Sequence, residues 1–191
     1  SASSGLSVVF SSTNPDIAEI SGTVLKINGA GSTTITASQP GDNNFNAAPD
    51  ITIPLVISKA DQEIDFPDPG TVVYGMNEIS IIASSTSGLE LSFSTSDPSV
   101  AAINGNKIII MGAGKATITA SQEGNENFNP AVDKSVLLNV EKANLTVTAE
   151  DKSKIYLSPL PELSIIYTGF VNGDDLSVLD KKPVATVEAT S

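Results

Sequence analysis

The sequence predicts an all-β protein built from small β-sandwiches in tandem. Three observations carry this. The stretch GAGSTTITASQPGDNNFN (29–46) returns as GAGKATITASQEGNENFN (112–129). Shifted by 83 positions, Ser4–Ala60 aligns with Ser87–Ala143 without a gap, and 28 of the 57 pairs are identical. Identity at that level marks an internal duplication, and so long a period suits an autonomous domain better than a solenoid repeat. Composition agrees. Ser, Thr, Asn, Gly and β-branched residues dominate, which favours strands and turns. No stretch places apolar residues at i, i+3, i+4 and i+7 for long enough to predict a helix.

The complete repeat unit, 61–143, shows strand candidates at sandwich spacing. They are Gln62–Phe66, Thr71–Tyr74, Ile79–Ala83, Leu89–Ser94, Val100–Ile103, Lys107–Met111, Ala116–Ser121 and Ser135–Val140. Leu89, Leu91 and Phe93 alternate with polar residues, as a half-buried strand requires, and Leu6, Val8 and Phe10 repeat the pattern. Asn104-Gly105 between two apolar runs is a hairpin signal. Short antiparallel strands in this number indicate an immunoglobulin-like β-sandwich. The first copy, 1–60, is the same sandwich without its first strands, because Ser1 aligns with Ser84 and nothing matches Asp61–Ala83. Its sheets are expected to expose apolar faces and open edges. The expectation is that the parent protein continues upstream or that another chain supplies those strands. The joints Ser58-Lys59-Ala60-Asp61 and Glu141-Lys142-Ala143-Asn144 are short and lack Gly or Pro runs, so the modules are expected to sit end to end. The third segment, 144–191, does not align with the other two. It offers strands at Leu145–Ala149 and Leu163–Tyr167 around a Pro-spaced turn and reads as a partial β domain.

Charge and residue usage narrow the function. The net charge is −12, with ten Lys and no Arg, so no basic face is available for nucleic acid. There is no Cys and no His, which removes disulfides, thiolate zinc sites and Ser-His-Asp nucleophiles. No apolar run is long enough to span a membrane. With no Trp and three Tyr, a sugar-stacking platform has little to draw on.

No catalytic or cofactor-binding residue is expected. The turns Gly29-Ala30-Gly31 and Gly112-Ala113-Gly114 resemble phosphate loops on the surface, but a β-strand follows where a helix N-terminus is needed. They read as tight turns in which Gly supplies positive φ. The loops Gly41–Asn46 and Gly124–Asn129 invite a calcium reading through Asp42, yet each has one acid where calcium wants several oxygens. The preferred reading is an Asn-capped turn pinned to the core by Phe45 or Phe128. Asp174 and Asp175, near Asp180, are the other calcium candidates, against a solvated turn. A Ser-Lys dyad would need a buried Lys. Only Lys26 and Lys107 lie in apolar runs.

SSTNPDIAEI (11–20) and STSDPSVAAI (94–103), each followed by a Gly-Ala-Gly strand ending ITASQ, resemble bacterial Ig-like domains of the invasin/intimin group. The stretches KANLTVTAEDKSKIY (142–156), PLPEL (159–163) and YTGFVNGDDLSVL (167–179) resemble the start of an MBG domain. That family usually has Gly after the Tyr, where Leu157 stands here. The resemblance implies an extracellular repeat array on the surface of Bacteroidota, of the kind exported by type IX secretion and found in gliding and attachment adhesins. It supplies no catalytic residue. The functional expectation is a non-enzymatic stalk or spacer of a large cell-surface adhesin, partnered by neighbouring modules of the same chain. The alternatives are a glycan- or protein-binding module aided by calcium, and an accessory region of a secreted enzyme.

Overall fold

The computed structural model describes residues 2–186. Ser1 and residues 187–191, the end of the 144–191 segment, lie outside the described residues. The chain divides into two compact units. One holds Ser1–Asp65, Ala83–Ser92 and Ala120–Lys134, and the other holds Phe66–Ile82, Phe93–Thr119 and Ser135–Ser191. Each unit takes residues from more than one repeat copy.

The strands, in chain order, are β1 (Val9–Ser12), β2 (Ala18–Ser21), β3 (Val24–Ile27), β4 (Gly31–Gln39), β5 (Ala48–Ile57), β6 (Ile64–Asp65), β7 (Thr71–Val73) and β8 (Glu78–Ser80). They continue with β9 (Ser84–Ser85), β10 (Ser92–Thr95), β11 (Ala101–Asn104), β12 (Lys107–Ile110), β13 (Gly114–Ser121), β14 (Lys134–Glu141), β15 (Thr146–Ala149) and β16 (Ile165–Thr168). Among the described residues the chain is all-β apart from a short 3-10 turn at Leu176–Val178. β1, β2 and β3 recur as β10, β11 and β12 at the 83-residue offset, so the duplication in sequence is a duplication in structure. The dominant periodicity is two, which sends alternate side chains to opposite faces.

In the first unit, β1, β4 and β5 form one antiparallel sheet, with Phe10 opposite Ala37 and Ile35 opposite Ile53. β2 and β3 form a separate two-stranded sheet. Ala18 and Thr33 are buried there. Thr33 Oγ1 accepts from the Asn14 backbone N–H at 3.0 Å and shares hydroxyl hydrogen bonds with Ser12 and Thr13.

In the second unit the larger sheet runs β10-β13-β14-β7, and a three-stranded sheet runs β11-β12-β8. Alternate residues of β12, β13 and β14 close the core between them: Ile108, Ile110, Ala116, Ile118, Leu138 and Val140 are all buried. Removing the Ile, Leu or Val side chains of this set from water contributes about 1.5–3 kcal/mol each. Phe66 adds an edge-on contact with Phe93, their ring centroids 5.9 Å apart.

Two expectations change. The strands do not all pair antiparallel: β7 runs parallel to β14, with Asn139 opposite Thr71 and Glu141 opposite Val73. No hairpin joins these strands, so the connection leaves their relative direction free. Ser84–Ser85 forms a short strand against Ile64–Asp65 that the polar sequence did not signal.

The third segment pairs β15 with β16, Val147 opposite Tyr167. Ahead of β16, Ser158 N–H donates to Ile155 O at 3.0 Å, closing a four-residue turn. Its third residue, Leu157, has φ 67°. That is the left-handed region, where the third residue of such a turn is normally Gly.

Candidate functional site

The two Gly-Ala-Gly turns are built by steric necessity. Gly114 has φ 151°, and a Cβ there would meet Val100 Cγ2 at 2.8 Å. Gly112 does not have positive φ. It is Gly because a Cβ would sit 2.8 Å from Ser99 O. The first copy matches: Gly31 has φ 139°, while Gly29 lies against Asp16 O. The positive-φ expectation therefore holds for the second Gly of each turn and gives way to close backbone approach for the first. Strands β4 and β13 begin at Gly31 and Gly114, so no helix N-terminus faces either turn. In the first turn, Ala30 N–H donates to Asn127 Oδ1 at 2.8 Å.

Asn127 belongs to the loop 124–129, and that loop is where the linker binds. Ala60 N–H donates to Asn127 O at 2.9 Å, and Asn129 N–H donates to Ala60 O at 2.8 Å. Lys59 Nζ donates to Asn125 O at 2.7 Å, and Asn129 Nδ2 donates to Asp61 Oδ1 at 2.8 Å. Buried Gln62 completes the set, its Nε2 donating to Asn129 O at 2.7 Å and to Gln122 Oε1 at 2.6 Å. Sequence reasoning treated the joint as a short polar step and missed that Lys59, Ala60 and Asp61 are each paired. The retention of Asn44 and Asn127 at equivalent positions was the available signal.

Two of the three calcium candidates, Asp42 and Asp175, use their carboxylates in local turns. Asp42 Oδ1 accepts from Asn44 N–H at 2.8 Å and Phe45 N–H at 2.9 Å. In the second copy Asn125 Oδ1 accepts from Asn127 N–H at 2.8 Å and Phe128 N–H at 2.9 Å. An uncharged amide does the same work, so this position needs an acceptor and not a charge. The aromatic plug reading fails for Phe45, which is exposed, while Phe128 is half-buried. Asp175 caps the 3-10 turn, accepting from Ser177 N–H at 2.8 Å, and this pairing with Ser177 holds its carboxyl below the usual range. Asp174 lines an open cavity of about 180 Å³ with Tyr74, Leu145, Phe170, Val171 and Leu179. Among the described residues, no three acids come together as a metal-holding group.

The lysines of the dyad reading are not in buried settings. Lys107 pairs with Glu78 across β12 and β8, both about half exposed. Lys26 lies on exposed β3. Among the described residues no helix is long and apolar enough to cross a membrane.

Residues 145–191 match the MBG domain (YGX type) family. This agrees with the resemblance read from the third segment, and the Gly of that motif falls where Leu157 holds its left-handed φ. Among solved structures, the chain is similar to the C-terminal 282-residue fragment of intimin in complex with the intimin-binding domain of the translocated intimin receptor, Tir. The identity is 14% and the TM-score 0.32, over 74% of this chain and 53% of that one. The chain thus spans about half the length of that fragment. No curated protein matches.

Proposed function

We propose that this chain is part of the repeat region of a large secreted bacterial surface adhesin, acting as a stalk that holds a distal functional domain away from the cell. The observation that carries the reading is the joint at Lys59–Gln62. Every residue of that linker is hydrogen-bonded to the loop 122–129, at distances of 2.6–2.9 Å. A linker tied in this way resists bending, which is what a spacer needs and a flexible tether avoids. The duplication supports it, since reach grows by copying a module. The MBG-type segment at 145–191 adds a further repeat-type domain. The reading is extracellular and non-enzymatic, and its chemistry is mechanical: backbone ladders and an aliphatic core carry tension.

Small-angle X-ray scattering tests this on arrays extended by whole copies of residues 61–143. A strand of six to nine residues makes a module on the order of 30–40 Å long. A stalk gains about that length in maximum dimension with each copy. A dimension that grows only as the square root of copy number means a flexible chain and refutes the spacer.

A further inference from the structure

The Gly-Ala-Gly turns have no role in the stalk reading, yet one of them holds a side chain from the other copy. The two turns are built alike. Asn28 and Gly29 N–H donate to Ile17 O at 2.9 and 3.2 Å, and Met111 and Gly112 N–H donate to Val100 O at 2.9 and 3.2 Å. Asn28 Nδ2 adds a bond to Pro15 O at 2.9 Å. The backbone of each turn is thus pinned within its own copy. The N–H of the middle Ala, one residue ahead of the strand, is not used by that pinning. In the first copy this spare donor, Ala30 N–H, meets Asn127 Oδ1 at 2.8 Å.

Asn127 comes to this contact already fixed. Its N–H donates to Asn125 Oδ1 at 2.8 Å, and its carbonyl accepts from Ala60 N–H at 2.9 Å. The side-chain amide is the part that reaches out of its own loop. The turn is shaped to receive it. A Cβ at Gly29 would lie 3.0 Å from Asn127 Oδ1, whereas a Cβ at Gly112 would meet only the Ser99 backbone. The acceptor is kept in both copies, since Asn44 stands 83 residues ahead of Asn127. The second turn has a different neighbour. Ala113 lines the cavity of about 180 Å³ together with Gly169, Phe170 and Val171 of the MBG-type segment. Among the described residues its N–H has no hydrogen-bond partner.

We infer that the Gly-Ala-Gly turn of an Ig-like copy is a docking socket, and that its partner is the loop Asn of the Ig-like copy that follows, here Asn127 on Ala30. Donor and acceptor are each held by their own copy, so the contact costs little further ordering. For the same reason the bond fixes the first copy against the loop 124–129. The bonds of Lys59–Gln62 do something else: they fasten the second copy's own entry strand to its own loop. Near-identical turns therefore make different joints. Ahead of an Ig-like copy the turn takes an Asn side chain, and ahead of the MBG-type segment it borders a cavity. The inference stands on hydrogen-bond geometry and holds whether the array is a stalk or a binding module.

The chain has no Cys, so Thr23→Cys and Glu123→Cys give one pair of spin-label sites in the full chain, on the first copy and at the base of the loop. Pulsed dipolar electron spin resonance then reads the distance distribution between them, which is expected to be narrow. Asn127→Ala removes the acceptor and Ala30→Pro the donor. Each is expected to lower the ratio of docked to undocked molecules roughly fivefold, seen as a broadened distribution. The double variant goes no further than either single one, because both act on one bond. Asn44→Ala and Ala113→Pro, the same changes at the equivalent positions, leave the distribution as in the parent. Amide exchange at Asn28 and Gly29 reports that the first copy stays folded, and Asn127→Ala carries the decision if Ala30→Pro loses that protection. A distribution in Asn127→Ala as narrow as the parent's overturns the inference. So do additive effects in the double variant, or equal broadening from Asn44→Ala. A chain that passes here and fails the scattering test loses the stalk and keeps the socket.

Discussion

Replacing Leu157 by Gly is expected to stabilise the protein, against the usual direction for Leu→Gly. Leu157 holds φ 67°, and a left-handed conformation costs a residue with a Cβ about 1–2 kcal/mol. Its side chain is 84% exposed, so little burial is lost with it. Gly loses more backbone freedom on folding, which costs about 0.5–1 kcal/mol. The balance favours Gly by roughly 0.5–1 kcal/mol. At about 4–8 °C per kcal/mol for a small domain, the transition that melts β15 and β16 rises by a few degrees. Leu157→Ala is the control, since it removes the same apolar atoms and keeps the Cβ; its change stays within about 0.5 kcal/mol. Asn172, with φ 55°, is the second control, because Asn tolerates this region and Asn172→Gly gains little. A chain of several modules melts in more than one step. Calorimetry is therefore paired with hydrogen exchange at Thr146–Ala149 and Ile165–Thr168. A lower melting temperature for Leu157→Gly, or an equal rise for Leu157→Ala, refutes the strain argument.

Other outcomes follow from the same geometry. Leu138 and Leu55 occupy equivalent positions, the first fully buried and the second half-buried. Leu138→Ala is expected to cost about 3–4 kcal/mol by urea unfolding, and Leu55→Ala no more than half of that, because an open face leaves no closed cavity. Asp97 has its carboxyl held below the usual value by the Ser99 hydroxyl and then the Ser99 backbone N–H. A depressed folded pKa gives stability that is present above the ordinary Asp range and lost as pH falls through the folded value. The unmodified chain should therefore melt above Asp97→Asn at neutral pH and lose that lead on acidification; a constant gap across pH rules this out. Asn14 already occupies the equivalent turn in the first copy, where Oδ1 accepts from Asp16 N–H, so Asp97→Asn should keep its fold. Asp42→Asn is expected to leave the stability within about 0.5 kcal/mol of the parent, with calcium or with chelator. A drop of several degrees on chelation favours calcium-assisted binding and counts against the turn.

How far the sequence reached can be followed residue by residue. The β strands, the 83-residue copy and the MBG-type segment were legible, because alternation, turn residues and duplication are written along the chain. The role of Asp42 was half legible: its turn chemistry is local, but only the matching Asn125 geometry shows that charge is not required. Phe45 was misread as a plug because whether a loop aromatic finds a core depends on strands far away in sequence. The parallel pairing of β7 with β14 was hidden for the same reason, since nothing local encodes the direction of a crossover strand. Asn127 escaped notice because its partners, Ala30 and Ala60, are brought to it by folding.

Taken alone, the residues determine a β module built to be copied, because period-two patterning and glycine turns act over a few positions. Tertiary structure decided how well each copy is closed. Burial is a property of what packs against a face: Ile108 and Ile110 are buried, while their counterparts Leu25 and Ile27 are about half exposed, because among the described residues β12 has β8 as a second neighbour and β3 has none.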